Sequence, residues 1–172
     1  LQHIDPQRIA AIDSSGAELR YAEISQLSKH ITSLIPTRSL CFLLVENNVG
    51  GIAWVMSMLD SRQLVPLILN VKTENALYQQ ILNTYQPKFI CAPNHFEVQG
   101  EVVDCQYEYT LTKISESTPA LHSELSHLLP TSGSTGSPKL VRHKYDNIEA
   151  AGLNISTFFE LKHTDRPLMV LP

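Results

Sequence analysis

Residues 131–139, which read Thr-Ser-Gly-Ser-Thr-Gly-Ser-Pro-Lys, have the composition of a loop that could bind phosphate. Gly133 and Gly136 have no side chain, so backbone N–H groups beside them can approach phosphate oxygens closely. Lys139 adds a compact positive charge, and Pro138 stiffens the residue before it. Further donors come from four hydroxyl groups, those of Thr131, Ser132, Ser134 and Thr135. The stretch therefore predicts a site for a polyphosphate.

Other glycine-containing motifs do not fit this stretch. A Walker A loop places its lysine directly after the second glycine, whereas two residues separate Gly136 from Lys139. A dinucleotide fingerprint needs a third glycine, and a nucleophile elbow needs the pattern G-x-S-x-G; neither is present. A flexible linker remains the simplest alternative, but an apolar stretch directly before the loop and a Pro-Lys pair after it disfavour that interpretation.

Apolar residues on both sides of this stretch predict the elements that hold it. Leu128 and Leu129 precede it and indicate a strand. After it, Asp146 could cap a helix and pair with Glu149. One face of that helix would carry Ile148, Ala151, Ile155 and Phe158. We therefore expect the loop to connect a strand directly to a helix.

The preceding residues alternate between strand and helix patterns. Turn residues 13–16 separate two short extended segments and predict a hairpin. Apolar residues spaced by three and four predict helices at 21–35, at 49–59 with Asn47 and Asn48 available as caps, and from Thr73 to Pro87. Continuous apolar runs predict strands at 41–45, 64–69 and 89–92, with weaker candidates at 102–105 and 109–113. This order predicts an α/β fold, a mostly parallel sheet with helices on both faces.

Composition excludes several classes of function. Hydrophobic residues make up 43% of the 172 residues and charged residues 17%, and no apolar run reaches the ~20 residues of a membrane span. The net charge of −4 and the scattered Lys and Arg residues argue against nucleic-acid binding. Cys41, Cys91 and Cys105 show neither an even number nor a CxxC spacing, which disfavours disulfides and zinc. A cytoplasmic protein is expected.

Residues 131–139 resemble the phosphate-binding signature of the adenylate-forming (AMP-binding) superfamily, which includes acyl-CoA synthetases, nonribosomal peptide adenylation domains and firefly luciferase. Residues 19–24, Leu-Arg-Tyr-Ala-Glu-Ile, resemble the opening L-T-Y-x-E-L of that family. Residues 45–59 resemble its N-S helix, and residues 65–67, Val-Pro-Leu, are similar to its V-P-L strand. The resemblance covers nearly all of the chain, and the glycine-rich stretch is its only highly specific part.

The resemblance implies an enzyme in which a small-molecule carboxylic acid attacks the α-phosphorus of ATP. The products are an acyl-adenylate and pyrophosphate, and a thiol of CoA or of a carrier protein usually takes the acyl group afterwards. The residues it assigns to the β and γ phosphates are Thr131, Ser132, Gly133, Ser134, Thr135, Gly136 and Lys139. Thr135 and Lys139 are the principal candidates, although Lys139 could also be an exposed lysine beyond a turn.

The remaining functional residues of that family lie downstream of its phosphate loop. They are a magnesium-binding glutamate, a ribose-binding aspartate and a C-terminal catalytic lysine, so no catalytic residue and no metal ligand is expected here. Residues 1–172 are therefore expected to be the N-terminal portion of a longer synthetase, inactive alone. The alternatives are a noncatalytic nucleotide-binding or scaffold relative and, within the family, a nonribosomal peptide adenylation domain.

Four positions depart from the pattern of that family. Arg20 replaces a hydroxyl residue that caps a helix. Arg62 replaces a glycine that ends one, so the turn is expected to need another conformation. Leu140 replaces a glycine after the loop lysine, and Tyr145 replaces a common histidine. Surface positions are the default expectation for the histidines, which include His127 and His143.

Overall fold

Nine strands and four helices make up the parts of the chain that a computed structural model describes, residues 5–131 and 139–168. The first half contains β1 (Ile9–Ile12), β2 (Glu18–Arg20), α1 (Tyr21–Leu34), β3 (Ser39–Val45), α2 (Val49–Ser61) and β4 (Leu64–Asn70). The second contains α3 (Asn75–Tyr85), β5 (Phe89–Pro93), β6 (Glu101–Gln106), β7 (Tyr109–Lys113), β8 (Leu125–Pro130), β9 (Leu140–Lys144) and α4 (Tyr145–Phe158).

The main sheet has seven strands in the order β6-β7-β5-β3-β4-β8-β9. Its four central strands, β5, β3, β4 and β8, are parallel. Antiparallel strands close both edges, with β7 and β6 beyond β5 and β9 beyond β8. The predicted α/β class and parallel centre are confirmed, and β1 and β2 form the predicted hairpin, which is a separate two-stranded sheet.

Helices cover the two faces of the sheet, as the apolar character of β3 requires. Alternate residues of a strand point to opposite faces. Cys41 and Leu43 pack with α1 and α2 in one buried cluster, whereas Phe42 and Leu44 pack with α3 in the other. The centre of β3 is buried on both sides, which is why its sequence shows no polar alternation.

The helix ends agree only partly with the sequence prediction. Asn48 caps α2, because its Oδ1 accepts a hydrogen bond of 2.8 Å from the Gly51 N–H. Arg20 precedes α1, and its N–H donates to Glu23 Oε2 at 2.7 Å, which is the contact that the N3 carboxylate makes in a capping box. Thr73 does not open α3, which begins after Glu74; instead, the Thr73 hydroxyl donates to the Asn70 carbonyl.

The predicted helix after the glycine-rich stretch is present as α4, but its apolar face is exposed. Ile155 is 54% exposed and Phe158 is 80% exposed. The N-cap is Lys144, and Asp146 lies within the first turn, so the predicted Asp146 cap is wrong. In the part of the chain that the structure describes, no helix is long and apolar enough to cross a membrane.

Candidate phosphate-binding site

The stretch 131–139 leaves the carboxyl end of a parallel strand. Strand β8 pairs in parallel with β4 and ends at Pro130, so Thr131 lies at the edge of the sheet where β3, β4 and β5 also end. In open α/β sheets this edge is where ligands bind. The predicted direct connection to a helix is wrong, because β9 comes first and pairs antiparallel with β8. The loop therefore joins two strands of a hairpin.

Two hydrogen bonds join the ends of the loop. The Thr131 N–H donates to the Lys139 carbonyl at 2.9 Å, and the Thr131 hydroxyl donates to the same oxygen at 3.0 Å. The other predicted phosphate-binding residues lie outside the described residues; these are Ser132, Gly133, Ser134, Thr135 and Gly136. The structure therefore describes the two ends of the loop, Thr131 and Lys139, which lie side by side at the end of the β8–β9 hairpin.

Lys139 is exposed at this edge of the sheet. Among residues 5–131 and 139–168, no carboxylate forms an ion pair with its ammonium group. A lysine without a protein partner can offer its charge to an anion without first breaking an ion pair. The exposed position of Lys139 accords with both interpretations from the sequence, a phosphate contact and an exposed lysine beyond a turn.

Two of the positions that depart from the family pattern contact each other beside this hairpin. Arg62 ends α2 in the left-handed region, with φ = +58°, so the expectation of another conformation was wrong. Its guanidinium carbon lies 4.2 Å from the ring centroid of Tyr145, the first residue of α4. A cation over an aromatic face is stabilising by about 0.5–1 kcal/mol at an exposed site. This contact helps to explain why a non-glycine residue tolerates the left-handed conformation.

His127 and His143 form a stacked pair across the β8–β9 hairpin. Their ring centroids are 4.4 Å apart and their planes differ by 4°. Ser126 is buried beside His127, and its hydroxyl donates to the His143 carbonyl at 2.9 Å and lies 3.0 Å from His127 Nδ1. A hydroxyl has one hydrogen to donate, so the second contact assigns the Nδ1 proton to His127. The expectation of surface histidines is therefore wrong for this half-buried pair.

We expect the stacked pair to make the stability of the chain depend on pH. Burial, and to a smaller extent the neighbouring His143, lowers the pKa of His127 from 6.5 to about 4. Between those values the unfolded chain binds a proton that the folded chain does not bind, so stability falls as pH falls. Allowing for solvent screening of a half-buried ring, we expect the free energy of unfolding to drop by about 1 kcal/mol from pH 7 to pH 5 through this group.

Urea unfolding at both pH values measures this contribution. His127→Gln should show a smaller drop than the wild type, whereas His163→Gln, which changes an exposed histidine, should show the same drop. An equal pH dependence in the wild type and in His127→Gln would contradict the assignment.

One arginine holds the start of this hairpin against the rest of the fold. Arg38 precedes β3, and its Nε donates to the Arg62 carbonyl at 3.1 Å. One terminal nitrogen donates to the His122 carbonyl at 2.8 Å and the other donates to the Leu125 carbonyl. A single guanidinium therefore joins the end of α2, the segment before β8 and the first residue of β8. Sequence reasoning missed it because its three partners are backbone carbonyls that are distant in sequence.

A cleft of about 430 Å³ opens on the α3 side of the sheet. Tyr78 and Leu82 of α3 line it together with Ile90, Phe96 and Val98. It lies beside β5, whereas the candidate phosphate loop follows β8, and β3 and β4 separate these two strands. This cleft is therefore not part of the site that residues 131–139 would form.

Comparisons with known proteins identify the fold. No protein-family model matches the chain, and no curated protein matches it significantly. Among solved structures, o-succinylbenzoate-CoA synthetase (MenE) of Bacillus subtilis, in complex with its acyl-adenylate intermediate, superposes with a TM-score of 0.74 at 22% identity over 97% of this chain and 47% of that chain. The same enzyme with ATP and magnesium gives a TM-score of 0.71 at 20% identity, covering 97% of this chain and 48% of that chain.

Other matches belong to the same structural group. Apo MatB of Rhodopseudomonas palustris gives a TM-score of 0.65 at 16% identity, covering 92% of this chain and 36% of that chain. The N-terminal subdomain of Klebsiella oxytoca NpsA, in complex with 3-hydroxyanthranilyl-AMSN, gives 0.59 at 17% identity, covering 86% of this chain and 39% of that chain. The chain thus spans less than half the length of each of these proteins, and it has the fold of the adenylate-forming enzymes.

Proposed function

We propose that the chain is the N-terminal portion, residues 1–172, of an AMP-forming ligase that activates a carboxylic acid as an acyl-adenylate, and that this ligase is an acyl-CoA synthetase. One observation carries the proposal. A hydroxyl- and glycine-rich stretch leaves the carboxyl end of a central parallel strand, in a fold shared with a synthetase solved with ATP and magnesium. We also propose that its substrate is a small-molecule carboxylic acid and that a thiol, of CoA or of a carrier protein, accepts the acyl group.

In this proposal the chain supplies the groups that hold the β and γ phosphates. Bound ATP supplies the α-phosphorus that the substrate carboxylate attacks, and pyrophosphate leaves. Lys139, together with the donors of Ser132, Ser134 and Thr135 and the backbone beside Gly133 and Gly136, would neutralise and orient the departing phosphates. The magnesium ligand is expected in a part of the ligase that this chain does not contain.

Lys139→Ala is expected to weaken the binding of magnesium-ATP to this chain about tenfold, which corresponds to about 1.4 kcal/mol. The physical reason is the loss of one charge-assisted contact to a phosphate oxygen. Isothermal titration at low salt measures it, because binding by a portion of the site should be weak. Lys29→Ala is the matched control, since it also removes one positive charge, but from an exposed position on α1.

Two results would speak against the role of Lys139. Equal losses in Lys139→Ala and Lys29→Ala would show a general charge effect. Unchanged binding in Lys139→Ala would support the alternative that this lysine is an exposed residue beyond a turn.

A noncatalytic nucleotide-binding or scaffold relative is the second candidate function. The observation that bears on it is Leu140, which packs against the buried cluster of the α3 face. The family pattern has glycine there, so the backbone after Lys139 lacks the conformational freedom that glycine would give. The two candidate functions can be distinguished in a protein that also contains the magnesium-binding, ribose-binding and catalytic-lysine motifs. Acid-dependent exchange of labelled pyrophosphate into ATP supports the ligase, whereas nucleotide binding without exchange supports the noncatalytic relative.

A further inference from the structure

We infer that Thr131 is a positioning residue that fixes Lys139, and not a direct ligand of the phosphates; this inference rests on the proposed function. Both donors of Thr131 point to one acceptor, the carbonyl oxygen of Lys139, at 2.9 Å from the N–H and 3.0 Å from the hydroxyl. A threonine hydroxyl has a single hydrogen. While it is donated to Lys139, it is not available to a phosphate oxygen.

Thr131 lies directly beyond the last ladder pair of the β8–β9 hairpin. Strand β8 ends at Pro130, which lies opposite Leu140 in the ladder. Hydrogen-bonded and non-hydrogen-bonded pairs alternate along an antiparallel ladder. Because the Thr131 N–H bonds to the Lys139 carbonyl, the Pro130–Leu140 pair is a non-hydrogen-bonded one, and the proline nitrogen, which carries no hydrogen, faces away from β9. Thr131 is the next residue, and its two hydrogen bonds hold the carbonyl of Lys139 at the other end of the loop. In the described part of the chain, Thr131 and Lys139 thus form the hydrogen-bonded pair that ends the hairpin beside the loop.

Holding the Lys139 carbonyl in place also limits where the positive charge of its side chain can lie. The lysine side chain is long and flexible, and a defined backbone position limits where its ammonium group can reach. Without the threonine hydroxyl, the backbone of Lys139 samples more orientations. Ordering it on a bound phosphate then costs additional conformational entropy. Thr131 therefore contributes to phosphate affinity through the position of Lys139.

The experiment compares Thr131→Val with Thr131→Ser, using inorganic tripolyphosphate as the probe. Valine keeps the branched shape and the N–H but loses the hydroxyl, whereas serine keeps the hydroxyl. We expect Thr131→Val to bind tripolyphosphate about fivefold more weakly, and Thr131→Ser to bind within twofold of the wild type. In the absence of ligand, the amide resonances of Lys139 and Leu140 should shift in Thr131→Val and remain in place in Thr131→Ser.

The ligand-free spectra distinguish a positioning role from a direct contact. Weaker binding by Thr131→Val with unchanged Lys139 and Leu140 resonances would make the hydroxyl a phosphate ligand and overturn the inference. Unchanged binding by Thr131→Val would overturn it as well. If the wild-type chain binds no tripolyphosphate, the proposed function fails; the ligand-free Lys139 resonances then still decide whether the hydroxyl fixes this residue.

Discussion

Gly50→Ala is expected to lower the free energy of unfolding by about 3 kcal/mol, the largest effect among the changes considered. Gly50 is buried in the first turn of α2. A Cβ at this position would lie 2.3 Å from the carbonyl oxygen of Tyr107 and 2.8 Å from the ring of Tyr109. Because the nearest atom belongs to the backbone, a side-chain rotation cannot relieve the clash.

The β6–β7 turn that carries this carbonyl is held from several sides. The indole N–H of Trp54 donates to the Gln106 carbonyl at 3.1 Å, and the Asn94 N–H donates to the Glu108 carbonyl at 2.8 Å. Tyr107 and Glu108 have φ values of +54° and +62°, so the turn already occupies the left-handed region. If the β6–β7 turn moved away from the added methyl group, these hydrogen bonds would be disturbed.

Gly152→Ala is the matched control. Gly152 lies in α4, and a Cβ there would meet no atom within 4 Å. Alanine is the better helix former, so this change should raise the free energy of unfolding by about 0.5–1 kcal/mol. Urea unfolding of the two variants measures both effects. Equal effects of the two changes would show that the approach of α2 to the β6–β7 turn is not tight.

Arg38→Ala is expected to lower the free energy of unfolding by about 2–3 kcal/mol. The change leaves three carbonyls without their charged donor, those of Arg62, His122 and Leu125. The first two bonds are exposed and water can replace the lost donor there, so most of the loss is expected at Leu125, where the bond is partly buried. Urea unfolding at pH 7 is the measurement.

Two further variants define the cause of that loss. Arg38→Lys keeps the charge but not the fork of donors, so it should recover less than half of the stability. Arg8→Ala removes an exposed arginine from the hairpin segment and should change stability by less than about 0.5 kcal/mol. Full recovery by lysine would mean that Arg38 acts through its charge alone and not through its three hydrogen bonds.

The sequence predicted the centre of the fold well because burial leaves a strong local signal. Strand β3 is apolar along its length since helices cover both of its faces. Strand β9 was missed for the opposite reason. It lies at the edge of the sheet and reads Leu-Val-Arg-His-Lys, with Val141 42% exposed, so its residues need neither be apolar nor alternate. Pairing with β8, a tertiary interaction, makes it a strand.

The candidate site could be proposed from its composition, but its geometry could not be predicted. The residue types of 131–139 indicated a phosphate loop, which stays a prediction, and the structure places its two ends at the carboxyl ends of the parallel strands. Sequence spacing could not show that the Thr131 hydroxyl meets the Lys139 carbonyl, nor that His127 lies opposite His143. The second pairing follows a register shift between Leu125 and His127, which no local pattern encodes.

The central claim is that residues 131–139 bind the polyphosphate of ATP, and an amide NMR titration of this chain tests it most directly. Magnesium-ATP, inorganic tripolyphosphate and AMP are added separately at equal concentrations. We predict that ATP and tripolyphosphate shift the amide resonances of Gly133, Gly136 and Lys139 in the same direction, and that AMP leaves them nearly unchanged because it lacks the β and γ phosphates. Shifts of equal size with AMP, or no shift at these three residues with either polyphosphate, would contradict the claim.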